Sequence, residues 1–312
     1  MMESLFSVMD ETERTIFTLR SLYLSHGYKR YKMDKFEDYD LYGQNRDFLV
    51  SDRLISFTDG SGRLKALKPD VTLSVLQNSR DVSGGLQKYC YNESVYRMGP
   101  DGTFREIPQT GIECIGEVDE ACLLEVLTLA GKTLQSLSET YVLSVSELTL
   151  LSSLIRKTAA DPEDTAVLLK AAADRNLTGV DEILTGGDFS TERCDAAARL
   201  KKLLTLAQDP DEAMRELETL AEDEAEKEAA ARMNRLLAAL KDAGIRAEAD
   251  FTLAGDLHYY NGIVFKGFLK NVPDSVLSGG QYGGLMKSMG LTGEAAGFAV
   301  YLDRLERTGG GK

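Results

Sequence analysis

Three polar side chains that could bind one ligand recur along the segment Phe104–Gly116, namely Arg105, Gln109 and Glu113. Side chains of a β-strand alternate between its two faces, so these three residues would share one face with Gly111. A cation, an amide and a carboxylate in a row, beside a glycine that leaves space, suit a zwitterionic amino acid. The alternative is an exposed strand face whose polar side chains meet only water.

Two further segments carry side chains that suit a charged ligand. Asp70 and Thr72 follow Pro69 directly. Either residue could cap a helix by accepting hydrogen bonds from free backbone N–H groups, and Asp70 could also face the ligand. Arg97 precedes the turn-rich residues 98–102. Its guanidinium could grip a phosphate or carboxylate with two hydrogen bonds, and a surface ion pair is the alternative.

The last third of the chain offers an aromatic pair and a glycine-rich segment. Tyr259 and Tyr260 begin a predicted strand, in which Tyr260 shares a face with Gly262 and could cover the space that the glycine leaves. Packing within the sheet is the alternative for both tyrosines. Residues 279–284 predict a loop whose backbone could approach a ligand, or a plain tight turn. This loop is not a P-loop, because Lys287-Ser288 follows the glycines at the wrong spacing.

Composition narrows the classes of protein. The chain has 312 residues, of which 43% are hydrophobic and 28% charged, so it can bury a core without disulfides or metals. Four scattered cysteines without a CxxC pair, and only two histidines, argue against a zinc ribbon, a redox motif and a His-rich metal site. We therefore expect no metal and no cofactor.

Charge and targeting signals point to a compartment and a class of partner. The net charge is −14, and no basic cluster is larger than short groups such as residues 29–32, which makes nucleic acid a less favoured partner. The first residues lack the basic region and apolar run of a signal peptide, and no run of about eighteen apolar residues occurs. We expect a cytoplasmic protein with no membrane partner.

The hydrophobic pattern divides the chain into three stretches. Residues 1–142 and 246–312 carry strand signals, whereas residues 143–245 are dominated by Ala, Leu, Glu and Lys. Two helices of the middle stretch begin at Pro162 and Pro210, each after an aspartate that can cap it. A single α+β domain with an all-helical insertion at 143–245 explains this order better than three separate domains.

Within the first stretch, the elements that must position the candidate ligand residues are predictable. Apolar residues at helical spacing predict a helix over residues 10–26, and a second helix is predicted over 117–139. Asp-Gly-Ser-Gly at residues 59–62 indicates a hairpin turn. The segment Phe104–Gly116 predicts a strand that Pro108 makes bulged or irregular.

These segments, in this order, resemble the catalytic core of class II aminoacyl-tRNA synthetases, specifically histidyl-tRNA synthetase. Residues 96–113 resemble the strand-loop-strand of class motif 2, and residues 297–305 resemble motif 3 with its arginine at Arg304. The resemblance implies a six-stranded antiparallel sheet flanked by helices, a helical insertion and a dimer. It also implies a histidine site formed by Asp70, Thr72, Arg105, Gln109, Glu113, Tyr259 and Tyr260.

The sequence departs from the synthetase pattern where that family handles ATP. The family reads Arg-Gly-Leu-Asp before the paired tyrosines, whereas residues 255–258 read Gly-Asp-Leu-His and lack the activating arginine. Met98-Gly99 follow Arg97 in place of His-Glu, and residues 281–283 read Gln-Tyr-Gly in place of Arg-Tyr-Asp. The motif 1 proline is replaced near Asp34.

These departures favour loss of catalysis. Adenylate formation concentrates negative charge at the α-phosphate, and the loss of one stabilising donor costs on the order of a hundredfold in rate. Arg97 and Arg304 would then be vestiges of an ATP site. The sequence ends directly after motif 3, so we expect no anticodon-binding domain and no tRNA partner.

A chain that keeps the histidine positions better than the ATP positions resembles the synthetase-like regulatory subunits of ATP phosphoribosyltransferase. The resemblance implies a non-catalytic role in the first step of histidine biosynthesis. Its expected partners are the short-form catalytic subunit, free histidine as effector, and a second copy of the chain within a hetero-oligomer. Two alternatives stay open: a residual amino-acid-adenylating ligase, and a structural scaffold that binds no ligand.

Overall fold

The computed structural model describes residues 8–46, 49, 54–79, 85–99, 101–184, 190–207, 209–256 and 260–309. Its helices are α1 Glu11–Ser25, α2 Tyr39–Gly43, α3 Thr72–Asn78, α4 Glu120–Leu137, α5 Leu148–Thr158, α6 Pro162–Ala173, α7 Leu177–Glu182, α8 Thr191–Leu204, α9 Pro210–Leu220, α10 Glu224–Asp242, α11 Gly283–Ser288 and α12 Leu302–Gly309, with a 3-10 helix at Phe251–Asp256. Among these described residues, none of the helices combines the length and the apolar character that a membrane crossing requires.

The strands form two sheets. Their bounds are β1 Lys29–Arg30, β2 Phe36–Asp38, β3 Ser56–Thr58, β4 Leu64–Leu67, β5 Gln87–Met98, β6 Phe104–Gly116, β7 Tyr141–Glu147, β8 Ala247–Ala249, β9 Ile263–Leu269, β10 Leu277–Gln281 and β11 Glu294–Tyr301. The small sheet has the order β2-β4-β3. Strands β3 and β4 are antiparallel across the turn at residues 59–62, which confirms the predicted hairpin.

The main sheet corrects the prediction of six antiparallel strands. It has eight strands in the order β1-β5-β6-β11-β10-β9-β7-β8, and both end pairs, β1 with β5 and β7 with β8, are parallel. The two end strands have only two and three residues, which is too short to show an alternating pattern. Strand β7 is buried on both faces, so its sequence shows no alternation either.

Strands β5 and β6 form a long hairpin without a bulge. Their register runs unbroken from Gln87 opposite Ile115 to Met98 opposite Phe104, so the predicted irregularity at Pro108 is wrong. The other neighbour of β6, strand β11, ends opposite Gln109. Pro108 therefore stands where β6 has one neighbouring strand instead of two, a position that tolerates a residue without an N–H donor.

The glycine-rich segment is the second correction. A loop was expected over residues 279–284, but Leu277–Gln281 is strand β10, paired antiparallel with β11, and helix α11 begins at Gly283. Because glycine has no side chain, two consecutive glycines carry no hydrophobic alternation, and the strand is invisible to pattern analysis.

The chain divides into two compact units, Met1–Tyr141 with Gly267–Lys312, and Val142–Lys266. In the first unit, helices α1 and α4 pack on one face of the β5–β6–β11 region. Tyr23 of α1 stacks edge-on against Phe298, with ring centroids 5.9 Å apart. Asp10 and Glu13 form a capping box that begins α1, and Gly27 (φ 83°) follows its end.

The second unit contains helices α5 to α10, and its centre holds a buried carboxylate. The side chain of Glu226 is 0% exposed. It accepts hydrogen bonds from Lys157 Nζ (2.7 Å), Ser153 Oγ (2.8 Å) and the Glu222 backbone N–H (2.9 Å), and it pairs with Arg199. Burial alone would raise the pKa of Glu226, but these partners lower it to about 2. The charge network therefore joins α5, α8 and α10.

Glu226→Gln should lower the free energy of unfolding by about 3 kcal/mol at neutral pH, because it leaves Lys157 and Arg199 without their shared anion. The lowered pKa means that this contribution is present above pH 4.5 and is lost as the pH falls towards 2. Urea unfolding at pH 7 and pH 3 measures both effects. Glu228→Gln is the matched control, since Glu228 is exposed and forms an ion pair with the exposed Arg235. Equal stabilities of the two variants would contradict the assignment.

Candidate functional site

The carboxylate of Glu113 is the centre of the candidate site. Glu113 lies on β6 and is 2% exposed. Its Oε1 accepts a hydrogen bond from Thr72 Oγ1 (2.7 Å), at the start of α3, and its Oε2 accepts one from the hydroxyl of Tyr282. Two segments distant in sequence are thus tied to one buried acid.

Glycines make room for this carboxylate on the sheet. Gly297 of β11 stands directly opposite Glu113, and a Cβ atom there would lie 2.2 Å from Glu113 Oε2 and 2.3 Å from the Ile112 carbonyl oxygen. Gly111, two residues before Glu113 on the same face, is covered by the Tyr91 ring, whose hydroxyl would lie 2.6 Å from a Cβ. The space that these two glycines leave on the sheet is therefore occupied by the Glu113 carboxylate and the Tyr91 ring, which corrects the expectation that Gly111 leaves room for a ligand.

Asp70 places a second acid near the first. Its Oδ1 accepts a hydrogen bond from the Leu73 backbone N–H (3.0 Å), so Asp70 satisfies a free N–H in the first turn of α3, whose N-cap residue is Val71. Arg97 donates from Nε to the Pro69 carbonyl (3.0 Å), which holds the segment before the cap against β5. The cap fixes the start of α3, and with it the position of Thr72.

The electrostatics of the two acids favour a cationic ligand. Burial raises the pKa of Glu113 well above its ordinary value, and the neighbouring Asp70 raises it further, although the Thr72 hydrogen bond opposes the shift. Burial likewise raises the pKa of Asp70, against the hydrogen bond of Leu73 and the charge of Arg97. Within the described part of the chain, no lysine or arginine forms an ion pair with Glu113. A ligand cation would supply that missing charge.

Gln109 brings an amide to the same face of β6. It is 4% exposed and stands four residues before Glu113, with Gly111 between them. Across the described residues its side-chain amide forms no hydrogen bond. Its amide can both donate and accept, so Gln109 suits a polar ligand group.

The structure does not bring every predicted residue together. Arg105 is 51% exposed, pairs with Asp101 (3.5 Å), and stands eight residues from Glu113 along β6, roughly 26 Å away at the rise of a strand. One amino acid cannot touch both residues. Tyr260 is half-buried in the second unit, just before β9, and Tyr259 falls outside the described residues.

The two arginines predicted as vestiges of an ATP site both bind main-chain carbonyls. Arg97 binds the Pro69 carbonyl, as described above, and Arg304 donates to the carbonyl of Ser275 while its guanidinium stacks 4.1 Å from the Tyr301 ring centroid. Each arginine therefore has a structural function in this chain.

Sequence reasoning missed two contacts of the site. Tyr282 was noticed only as part of the glycine-rich segment, and nothing in its position signals that its hydroxyl reaches Glu113. Lys68, 1% exposed, pairs with Glu93 of β5, which also accepts from the Met33 backbone N–H (3.3 Å).

The polar groups of the site suit the binding of a small ligand. Among the residues that the structure describes, no group of three or more His, Cys, Asp or Glu side chains could hold a metal ion. The two acids can accept hydrogen bonds from a small cationic ligand, and the hydroxyls and the amide can both donate to it and accept from it.

The fold is that of the class II aminoacyl-tRNA synthetases. A regulatory subunit of ATP phosphoribosyltransferase/histidyl-tRNA synthetase from Bacillus halodurans matches with a TM-score of 0.83 at 24% identity, over 95% of this chain and 78% of the other. A chain of the ATP phosphoribosyl transferase complex from Thermotoga maritima matches with a TM-score of 0.74 at 16% identity, over 94% and 98%.

The histidyl-tRNA synthetase family model matches residues 3–305, and the chain belongs to this family. It is similar to the ATP phosphoribosyltransferase regulatory subunit of Bacillus cereus (strain G9842), with 26% identity over 310 residues, which cover 96% of this chain and 71% of that relative. The predicted resemblance to synthetase-like regulatory subunits is therefore confirmed.

Replacing Glu113 with glutamine should change how stability depends on pH. Because the folded-state pKa of Glu113 is raised above 4.5, the native chain loses unfolding free energy as the pH rises from that value, by at most about 1.4 kcal/mol per pH unit. Glu113→Gln removes this loss. In urea titrations, the free energy of unfolding of the variant minus that of the native chain should therefore grow from pH 4.5 upward.

Glu106→Gln is the control for this measurement, since Glu106 is exposed on the opposite face of β6. If the difference in unfolding free energy between the native chain and Glu113→Gln stays constant with pH, a raised pKa of Glu113 is contradicted.

Proposed function

We propose that this chain is the non-catalytic regulatory subunit of ATP phosphoribosyltransferase and acts in the cytoplasm in the first step of histidine biosynthesis. It activates the short-form catalytic subunit and senses histidine for feedback inhibition. The names of the similar Bacillus relatives support the role. The observation that carries the histidine part is the buried Glu113 carboxylate, which has hydroxyl partners but no cation among the described residues.

Histidine would bind beside the Glu113 carboxylate. Glu113 and Asp70 would bind its nitrogen atoms, with the Gln109 amide and Thr72 hydroxyl completing the polar contacts. The raised pKa values of both acids fit this role, because a ligand ammonium or imidazolium stabilises their ionised forms. Arg105 lies too far along β6 to share this ligand with Glu113.

Tyr259 and Tyr260 would cover the imidazole ring, as the family resemblance implies. An aromatic cover excludes water, which strengthens the charged hydrogen bonds beneath it. Tyrosine suits this position because its ring is apolar and its hydroxyl can still bind a polar atom.

Feedback inhibition needs a difference in histidine affinity between two assembly states. A coupling of about 1–3 kcal/mol is typical of such regulation. The segment from Lys68 to α3 is suited to transmit it, because Asp70 and Thr72 begin the helix while Arg97 holds Pro69 against β5. We propose that a homodimer within the hetero-oligomer transmits the change between these two assembly states to the catalytic subunits.

A residual histidine-adenylating ligase is the second candidate, because Arg97 and Arg304 are retained. Their binding to the main-chain carbonyls of Pro69 and Ser275 accounts for both without ATP. ATP–pyrophosphate exchange by the purified chain with histidine tests this candidate. No exchange is expected for a regulatory subunit, and histidine-dependent exchange would establish the ligase instead.

The regulatory function is tested by reconstitution with a short-form ATP phosphoribosyltransferase catalytic subunit. Addition of this chain should raise the rate, and histidine should reverse the increase. Glu113→Gln should retain activation but weaken histidine inhibition about tenfold or more, because a hydrogen bond to a charged group is lost.

Glu106→Gln, on the opposite face of the same strand, should leave the inhibition unchanged. No activation by the native chain would overturn the proposed role. Activation with unchanged histidine inhibition in Glu113→Gln would overturn only the site.

A further inference from the structure

A second concavity lies in the first unit, where α1 and β1 meet β5, and residues of both faces of β5 line it. It has a volume of about 170 Å³, and its lining includes three cationic side chains. We call it the cationic hollow and define it by Arg20, Arg30, Lys32, Cys90 and Asn92.

The fold explains why these cations converge. Arg30 of β1 stands beside Cys90 of β5 in parallel register, and Lys32 follows two residues later on the same side. Arg20 reaches the hollow from α1, which packs on this face of β5. The hollow is therefore built from a helix and two strands.

Among the described residues, the three cations of the hollow have no ion-pair partner. Across the described residues Arg20, Arg30 and Lys32 form no ion pair, although the chain carries a net charge of −14. The carboxylate in the lining is Glu93, and it is already paired with the buried Lys68. Burial lowers the pKa of Arg20, and the charge of Arg30 lowers it further, which reflects two guanidinium groups held close together. An anion between them would relieve this repulsion.

A larger concavity adjoins the hollow. It has a volume of about 310 Å³ and shares Lys32, Asn92 and Glu93 with the hollow, while Lys35 and Tyr96 belong to its own lining. A ligand whose anionic group occupies the hollow would therefore have space for an attached organic part.

We propose that the cationic hollow binds a phosphate group, either of a free phosphate or pyrophosphate ion or of a small phosphorylated metabolite. Two arginines on separate elements can grip phosphate oxygens with paired hydrogen bonds, and Lys32 adds a third charge at the rim. The ligand differs from histidine, and the lining of the hollow includes neither Glu113 nor Gln109, so this site does not depend on the function proposed above.

Calorimetric titration of the full chain at constant ionic strength tests the proposal. Pyrophosphate, ribose 5-phosphate and ribose are the three probes. Binding of pyrophosphate or ribose 5-phosphate, but not of ribose, is expected. The tighter of the two anions identifies the source of the phosphate, free or sugar-bound. Arg20→Gln and Arg30→Gln should each weaken binding about tenfold or more.

Lys29→Gln is the matched control. It removes the same charge as Arg30→Gln, and Lys29 is exposed next to Arg30 but does not belong to the lining. Its affinity should change less than about twofold. Absence of binding by both anions would overturn the proposal, as would equal weakening by Lys29→Gln, which would indicate non-specific charge. Arg30 is exposed, so Arg30→Gln keeps the test valid if Arg20→Gln fails to fold.

Discussion

The buried carboxylate of Glu113 is the constraint around which the candidate histidine site is arranged. A carboxylate at 2% exposure is costly unless its oxygens are bound, and here Thr72 and Tyr282 bind one oxygen each. Gly297 must lack a side chain to admit it. The start of α3, the end of β10 and the centre of β11 are thus all fitted to one acid, which stays short of a counter-charge among the described residues.

The hairpin of β5 and β6 serves both faces of the sheet. Glu113 and Gln109 stand on one face, while Cys90 and Asn92 face α1 and the cationic hollow on the other. Because side chains alternate along each strand, a single long hairpin contributes residues to both sites. The acidic face suits the nitrogens of histidine, and the basic face suits a phosphate group.

Sequence reasoning succeeded where one physical signal dominated and failed where none existed. The bounds of β6 follow from its apolar and β-branched residues, and the capped starts at Pro162 and Pro210 follow from the aspartates before them. Strand β10 escaped prediction because glycines carry no pattern. The spacing correctly placed Arg105 and Glu113 on one face of β6. That strand is 13 residues long, however, and the two residues lie too far apart along it to bind one ligand. The Tyr282 contact depends on a tertiary approach that no local pattern encodes.

The titration of the Glu113 side chain, followed by carbon-13 NMR with and without histidine, tests the central claim most directly. Glu113→Gln identifies the resonance by its absence. The account predicts a pKa above the ordinary glutamate range in the free chain, and a fall towards that range when histidine is bound, because the ligand brings the missing positive charge. An ordinary pKa in the free chain, or a raised pKa that histidine leaves unchanged, would contradict it.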